Sequence, residues 1–271
     1  PPDPRTGPDR RIYRQDLSGG SGTTYLCIEG AGFLIAELKW DTEFFRRKIG
    51  KLTNVPSEDE FKKLISQSCK DGYKYLTCRI VLKKMSDIQI LEKYGFYMTD
   101  IGATWEKELS TFDIRHSTFS VREAKAADIP MLKSMVKGLF KDSRFYNDPF
   151  FTKKEADKGY QTWIKSSLND KTVKTFLIED CGFITCKKMS KNKGDIPLIG
   201  VVPKAQSRGR GSSLMRRALK WFKENGMKTV TVRTQANNRM AMNFYNKMGF
   251  NVKYADVTMG LILNKELKKK A

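Results

Sequence analysis

Histidine is nearly missing from this 271-residue chain, and its single copy, His116, sits in the polar stretch Ile114-Arg115-His116-Ser117-Thr118, where it reads as a linker residue. That scarcity excludes histidine-rich metal centres and argues against a serine or cysteine nucleophile activated by an imidazole, so no metal is expected. Cysteine is sparse as well. Cys27, Cys69, Cys78, Cys181 and Cys186 show no metal-type or redox spacing, and their odd number points to a reducing compartment, the cytoplasm. No apolar run is long enough to span a bilayer, and no signal peptide is visible. Acidic residues are in deficit, 30 against 51 Lys and Arg, a formal net charge of +21. Such an excess suits polyanionic ligands such as nucleotide-linked molecules. The lysines, however, fall in scattered pairs such as Lys62-Lys63 and Lys187-Lys188, with Lys268-Lys269-Lys270 as the one run. That is the pattern of a solvated basic surface and argues against nucleic acid as the partner.

What the chain does contain is a glycine loop between a strand and a helix. The apolar run Ile196-Pro197-Leu198-Ile199-Gly200-Val201-Val202 reads as a strand and leads into Gln206-Ser207-Arg208-Gly209-Arg210-Gly211. A helix follows, with Leu214, Ala218, Trp221 and Phe222 on one face and Arg216, Arg217, Lys220 and Lys223 on the other, ending at Asn225-Gly226. Glycines let a ligand approach the main chain, and the first N–H groups of a helix attract anions, so residues 206–212 are a candidate pyrophosphate cradle. The loop lacks the Gly-Lys-Ser/Thr ending of a nucleotide-triphosphatase loop. It also lacks the Gly-x-Gly-x-x-Gly spacing of a dinucleotide fold.

Downstream, Lys228 to Arg233 alternates like a strand. Gln235-Ala236-Asn237-Asn238 then opens a short helix carrying Ala241, Phe244, Tyr245 and Met248 at helical spacing, closed by Gly249-Phe250. Gln-x-x-Gly-x-Gly after a buried strand, followed by Asn238-x-x-Ala241-x-x-Phe244-Tyr245-x-x-x-Gly249-Phe250, resembles the two ordered signatures of the GNAT acetyltransferase superfamily. The resemblance implies acetyl-CoA as acetyl donor, bound by Gln206, Ser207, Arg208, Gly209, Arg210, Gly211 and Ser212, with Asn238, Phe244 and Tyr245 as further contacts. Backbone groups of Gly200, Val201 and Val202 would pair with the pantetheine arm and polarise the carbonyl. Tyr245 would be the acid that protonates the departing thiolate. Direct transfer from thioester to amine needs no covalent enzyme intermediate.

A repeat organises the rest. Gly72-Tyr73-Lys74-Tyr75-Leu76-Thr77-Cys78-Arg79 aligns with Gly226 to Arg233, and Lys93-Tyr94-Gly95-Phe96 aligns with Lys247 to Phe250, both displaced by 154 residues. In the first copy Leu52 stands where Gln206 does, Leu91 where Tyr245 does, and Val55-Pro56-Ser57 replaces the glycines, so it cannot build the cradle. The expected fold is α/β (α+β): tandem GNAT-like halves with mixed central sheets flanked by helices, the N-terminal half degenerate. Residues 1–22, rich in Pro, Arg, Gly and Asp, read as a flexible arm or expression remnant. Residues 23–115 form the degenerate, acceptor-binding half and residues 116–271 the catalytic, acetyl-CoA-binding half. The boundary falls near Ser110 to Ser117, and a helix is expected from Asp128 to Phe140.

Three further segments bear on the acceptor: Trp40 to Phe45, Ser143-Arg144-Phe145, and Tyr160 to Ile164. In order, they resemble segments of the dTDP-fucosamine acetyltransferases. This implies an amine on a nucleotide-linked amino-deoxysugar of the dTDP-4-amino-4,6-dideoxyhexose type, as used for surface polysaccharide. Phe44, Phe45, Phe145 and Tyr146 could stack on a base or sugar while Arg144 meets a phosphate. The other reading is a GNAT enzyme for a protein, peptide or antibiotic amine. Asp100 and Asp195 are the carboxylates placed to accept the amine proton, with Asp100 preferred. A homodimer is left open.

Overall fold

The computed structural model describes residues 25–27, 34–110 and 119–264. His116, residues 1–22, the terminal lysines and nearly all of the boundary segment lie outside the described residues. The first half runs β1 (Tyr25–Cys27), β2 (Leu34–Glu37), α1 (Lys39–Phe45), β3 (Ile49–Leu52), α2 (Glu58–Lys70), β4 (Tyr75–Val81), α3 (Met85–Lys93) and β5 (Tyr97–Glu108). The second opens with β6 (Arg122–Glu123), α4 (Ile129–Val136), α5 (Arg144–Asn147), α6 (Lys153–Asn169), β7 (Val173–Ile178) and β8 (Gly182–Lys188). It closes with β9 (Lys193–Ile196), β10 (Ile199–Val201), α7 (Arg210–Glu224), β11 (Thr229–Gln235), α8 (Arg239–Lys247) and β12 (Asn251–Ile262).

The sequence repeat is a structural repeat. β4, α3 and β5 recur as β11, α8 and β12, both ends of each displaced by the interval that separates Gly72 from Gly226. The repeated glycines have one physical reason: each ends a helix in the left-handed region, with φ +80° at Gly72, +77° at Gly226, +83° at Gly95 and +78° at Gly249. The following residue then donates back five positions, Phe96 N to Leu91 O and Phe250 N to Tyr245 O, both at 3.0 Å. This helix stop favours a residue without Cβ and drives the next apolar side chain into the core.

The sheets of the two halves are continuous, because the halves exchange their last strands. β12 lies antiparallel to β4, from Asp256↔Val81 to Ile262↔Tyr75, and β5 lies antiparallel to β11, from Gly102↔Gln235 to Glu108↔Thr229. β5 and β12 pair with each other at the centre. Among the described residues the order is β1-β2-β3-β4-β12-β5-β11-β9-β8-β7-β6, with β10 attached to β8.

Strand alternation then decides which side chains face which layer. Leu76, Cys78 and Ile80 of β4 join Val257, Met259 and Leu261 of β12 under α2 and α3. Tyr75 goes to the opposite face, among Phe45 and Phe151, and Thr77 and Arg79 look into the cavity described below. α7 covers β7, β8 and β9 on one side through Leu214, Met215, Ala218 and Phe222, and α4 and α6 cover the other through Leu132, Val136, Tyr160 and Ile164. The helix expected to reach Phe140 stops at Val136, since Lys137 turns extended and Gly138 adopts φ +66°. Among the described residues no helix is long and apolar enough to cross a membrane.

One packing contact gives a direct stability test. The Tyr75 ring crosses Gly260, where a Cβ would overlap the phenol. That hydroxyl donates to the buried Asp148 carboxylate, which also accepts from Tyr97 Oη at 2.8 Å and Phe150 N at 2.9 Å. Gly260→Ala pushes Tyr75 off Asp148 and should cost about 1–3 kcal/mol, read as a lower denaturant midpoint.

Candidate functional site

The apolar run expected as one strand is broken by Pro197. β9 pairs in parallel with β11 from Lys193↔Thr229 to Ile196↔Val232, and there the pairing ends. Beyond it, β10 stays on β8 while β11 stays on β5, so the two strands part. Proline has no N–H to continue a ladder, and Leu198 turns both its peptide groups to Thr185: its N–H donates to Oγ1 at 2.9 Å and its oxygen accepts from N at 2.8 Å.

The register also sorts the backbone groups of the second strand. Val202 N donates to Cys181 O at 2.9 Å, and antiparallel alternation sends the groups of Gly200 to Phe183 in the same direction. Of the three residues expected to pair with a ligand in the gap, Gly200 and Val202 therefore face β8. Val201 faces the gap, and so does Ile199, which the sequence reading left out. Val201 O already accepts from Gln206 Nε2 at 2.9 Å, which folds the loop back onto the strand.

The loop has the conformation that a helix N-terminus open to anions requires. Ser207 and Gly209 take φ of +58° and +79°, and Gly209 is the N-cap of α7, with no side chain to satisfy the first turn. The helical ladder begins with Ser213 N donating to Gly209 O at 3.0 Å, so the N–H groups of Arg210, Gly211 and Ser212 precede it without intrahelical acceptors. Arg210 is half-buried, with its guanidinium over the Phe119 ring at 5.0 Å, and Arg208 is exposed. Phe244 lies beneath the loop, 3.5 Å from where a Cβ on Gly211 would stand. Asn238 caps α8, its side-chain oxygen accepting from Ala241 N at 3.0 Å.

On the other side of the gap, a cavity of about 270 Å³ spreads across β9, β11, β5, β12 and β4 beneath α1, α5 and α6. Trp40, Phe45, Phe140, Phe145, Tyr160 and Trp163 form its aromatic wall. Of the expected acceptor residues, Phe45, Arg144 and Phe145 line it. Phe44 and Tyr146 do not; they stand behind the wall. Phe44 stacks on Trp40, with centroids 5.0 Å apart and planes 3° from parallel, and the Tyr146 hydroxyl donates to Asp157. Gly200 to Val202, the glycine loop and Phe244 also lie outside these walls, whereas Asn238 and Tyr245 belong to them.

Both candidate carboxylates reach the cavity, in different states. Asp100 is ion-paired with Arg233 Nη1 at 2.9 Å, and Arg233 Nη2 also meets Asp256 at 2.6 Å. Gly102 makes this crossing possible, because a Cβ there would overlap the Arg233 guanidinium. Asp195, on β9, makes no such ion pair among the described residues; Lys187, opposite it on β8, acts on it at longer range. The cavity leaves it partly accessible, but burial within the protein pushes its carboxyl up to about 6, against the hydrogen bond that Thr231 Oγ1 donates at 2.6 Å. Tyr245 is 4% exposed, and burial together with the nearby Asp195 charge raises its phenol well above the usual range. The Cys78 thiol, also pushed up by burial to about 12, is inert by comparison.

The fold is similar to that of a solved protein built of two GNAT halves. A solved tandem GNAT protein from the clavulanic acid biosynthesis pathway superposes with a TM-score of 0.57 over 86% of this chain and 79% of its own, at 9% identity. Residues 140–250 match the model of the acetyltransferase (GNAT) family. A mycothiol acetyltransferase of an Arthrobacter species is 34% identical over 67 residues, 25% of this chain and 21% of its own length. The spore coat polysaccharide biosynthesis protein SpsD of Bacillus subtilis is 22% identical over 144 residues, 52% of this chain and 50% of its own. The chain thus spans half or less of the length of these two curated relatives.

Proposed function

We propose that the chain is an acetyl-CoA-dependent N-acetyltransferase acting on the amine of a nucleotide-linked amino-deoxysugar of the dTDP-4-amino-4,6-dideoxyhexose type. The carrying observation is that Asp195 and Tyr245 line one cavity, built by both halves, at the place where β10 parts from β11. The loop 206–212 and the outward N–H groups of Ile199 and Val201 fit a long ligand with a pyrophosphate at one end. Acetyl-CoA would supply the activated acetyl thioester there. Asp195 accepts the amine proton at its carboxylate, taking the role that Asp100 gives up by its pairing with Arg233. Tyr245 holds its proton at Oη throughout physiological pH and gives it up late in the transfer. The aromatic wall suits a base or sugar, and similarity to a polysaccharide biosynthesis protein supports a sugar acceptor.

CoA release would be measured with dTDP-4-amino-4,6-dideoxygalactose, its gluco epimer, the matching UDP sugars, a lysine-rich peptide and an aminoglycoside. Turnover with a dTDP amino sugar is expected, and free amino sugar should be a poor substrate, since it forgoes the remote contacts that position the amine. Turnover of the peptide or aminoglycoside alone would overturn the sugar reading. The donor site has its own test. Gly209→Glu places a charged side chain in the cradle and should abolish acetyl-CoA binding in calorimetry while the circular dichroism spectrum is unchanged. Retained binding would remove the loop from the donor site.

A further inference from the structure

The wall of the cavity away from the parted strands carries two arginines that proton transfer does not use. Arg79 on β4 occupies in the first half the place that Arg233 on β11 occupies in the second, and both reach toward Asp256. Their neutralisation is unequal. Arg233 is held by two carboxylates, at 2.6 and 2.9 Å. For Arg79 the only carboxylate within ion-pair reach among the described residues is the same Asp256, at 3.5 Å, and its Nε makes a long bond of 3.3 Å to Thr258 Oγ1. Arg144, on α5, lies over the Phe145 ring at 4.5 Å. Its one carboxylate in ion-pair reach among the described residues, Asp41, stands 3.9 Å away, beyond hydrogen-bond distance. Burial raises the Asp41 carboxyl despite Arg144, which weakens it further as a counter-ion. Burial, then Arg233, with Arg144 also opposing, lowers Arg79 to about 10, as befits a cation lacking an anion of its own. Both side chains line the cavity and remain 22% and 17% exposed.

We infer that Arg79 and Arg144 form an anion-binding subsite, one arginine from each half, for a phosphate or carboxylate carried by the same molecule as the reacting amine. Guanidinium forks suit either oxyanion. The subsite also gives the degenerate half a reason to persist after losing its own glycine loop. The assignment of the anion to the acceptor rests on the acetyltransferase reading; the subsite does not.

The test uses the whole chain, with acetyl-CoA at saturation to close the glycine loop to phosphate, and inorganic pyrophosphate, thymidine 5′-diphosphate and N-acetylglycine titrated in calorimetrically. At least one probe should bind, and Arg144→Gln and Arg79→Gln should each weaken it about 10- to 100-fold, with partial recovery in the lysine variants. Acetyl-CoA titrated alone should keep its affinity in every variant. Tighter binding of the phosphates than of N-acetylglycine assigns a phosphate source, and the reverse order a carboxylate. If Arg79→Gln fails to fold, Arg79→Lys and Arg144→Gln decide. No probe binding under saturation, or binding unchanged in the variants, overturns the subsite. A chain that fails to bind acetyl-CoA instead overturns the acetyltransferase reading, and the same titrations without it still read the arginines.

Discussion

Asp195→Asn should lower kcat/KM by about a hundred- to a thousandfold, the range expected when a positioned general base is lost. Asparagine preserves the shape and can still accept from Thr231 Oγ1, so the loss reports chemistry. The pH dependence sharpens the test. Burial holds the Asp195 carboxyl at about 6, and the active form is the carboxylate, so kcat/KM should fall tenfold per unit below that value. The limb should disappear in Asp195→Asn. In Thr231→Val it should move to higher pH, because the lost hydrogen bond favoured the charged form. Stability responds in the opposite sense. The folded value lies above the ordinary 3.8, so the folded chain holds the proton more tightly, and stability falls as pH rises through about 6. At pH 8 the asparagine variant should therefore melt no lower than wild type. A variant that keeps full activity, or that loses it by unfolding, would remove Asp195 from the mechanism.

Tyr245→Phe should lower kcat by roughly a hundredfold with little change in KM for acetyl-CoA, as fits a group that acts late in the transfer. The ring packs in the core beside Trp105 and Phe250, with centroids at 6.2 and 6.0 Å, and phenylalanine fills the same space. Melting temperature should hardly move. The raised phenol pKa keeps the proton in place far above neutrality, so no basic limb from Tyr245 is expected below pH 9. Full activity in the phenylalanine variant would reduce Tyr245 to packing.

The sequence already held the repeat, the glycine loop and the α8 motif, because each depends on local chemistry. A left-handed helix stop favours glycine, and an amphipathic helix shows its apolar face in its own spacing. The same alignment set Arg79 beside Arg233, yet nothing local distinguished them. Their difference depends on which carboxylates cross the sheet to meet them, and Asp256 comes from a strand 23 residues after Arg233 and 177 after Arg79. Phe44 and Phe45 are adjacent and chemically alike. Only the packing of α1 against β3 and α5 puts Phe45 into the cavity and Phe44 behind Trp40.

By itself, then, the sequence determined helices α7 and α8 with their glycine stops, the duplication, and which half kept the glycine loop, since these follow from backbone conformation and short-range periodicity. Only the tertiary structure decided that the halves exchange β5 and β12, and that exchange builds the rest of the site. It brings Asp100, Asp256 and the two equivalent arginines onto one face of one sheet and ties Asp100 to Arg233, while Asp195, on β9, lines the same cavity. Strand exchange is a matter of long-range hydrogen-bond register, which the local pattern of either strand leaves unspecified, because both strands satisfy their own alternation equally well in either half.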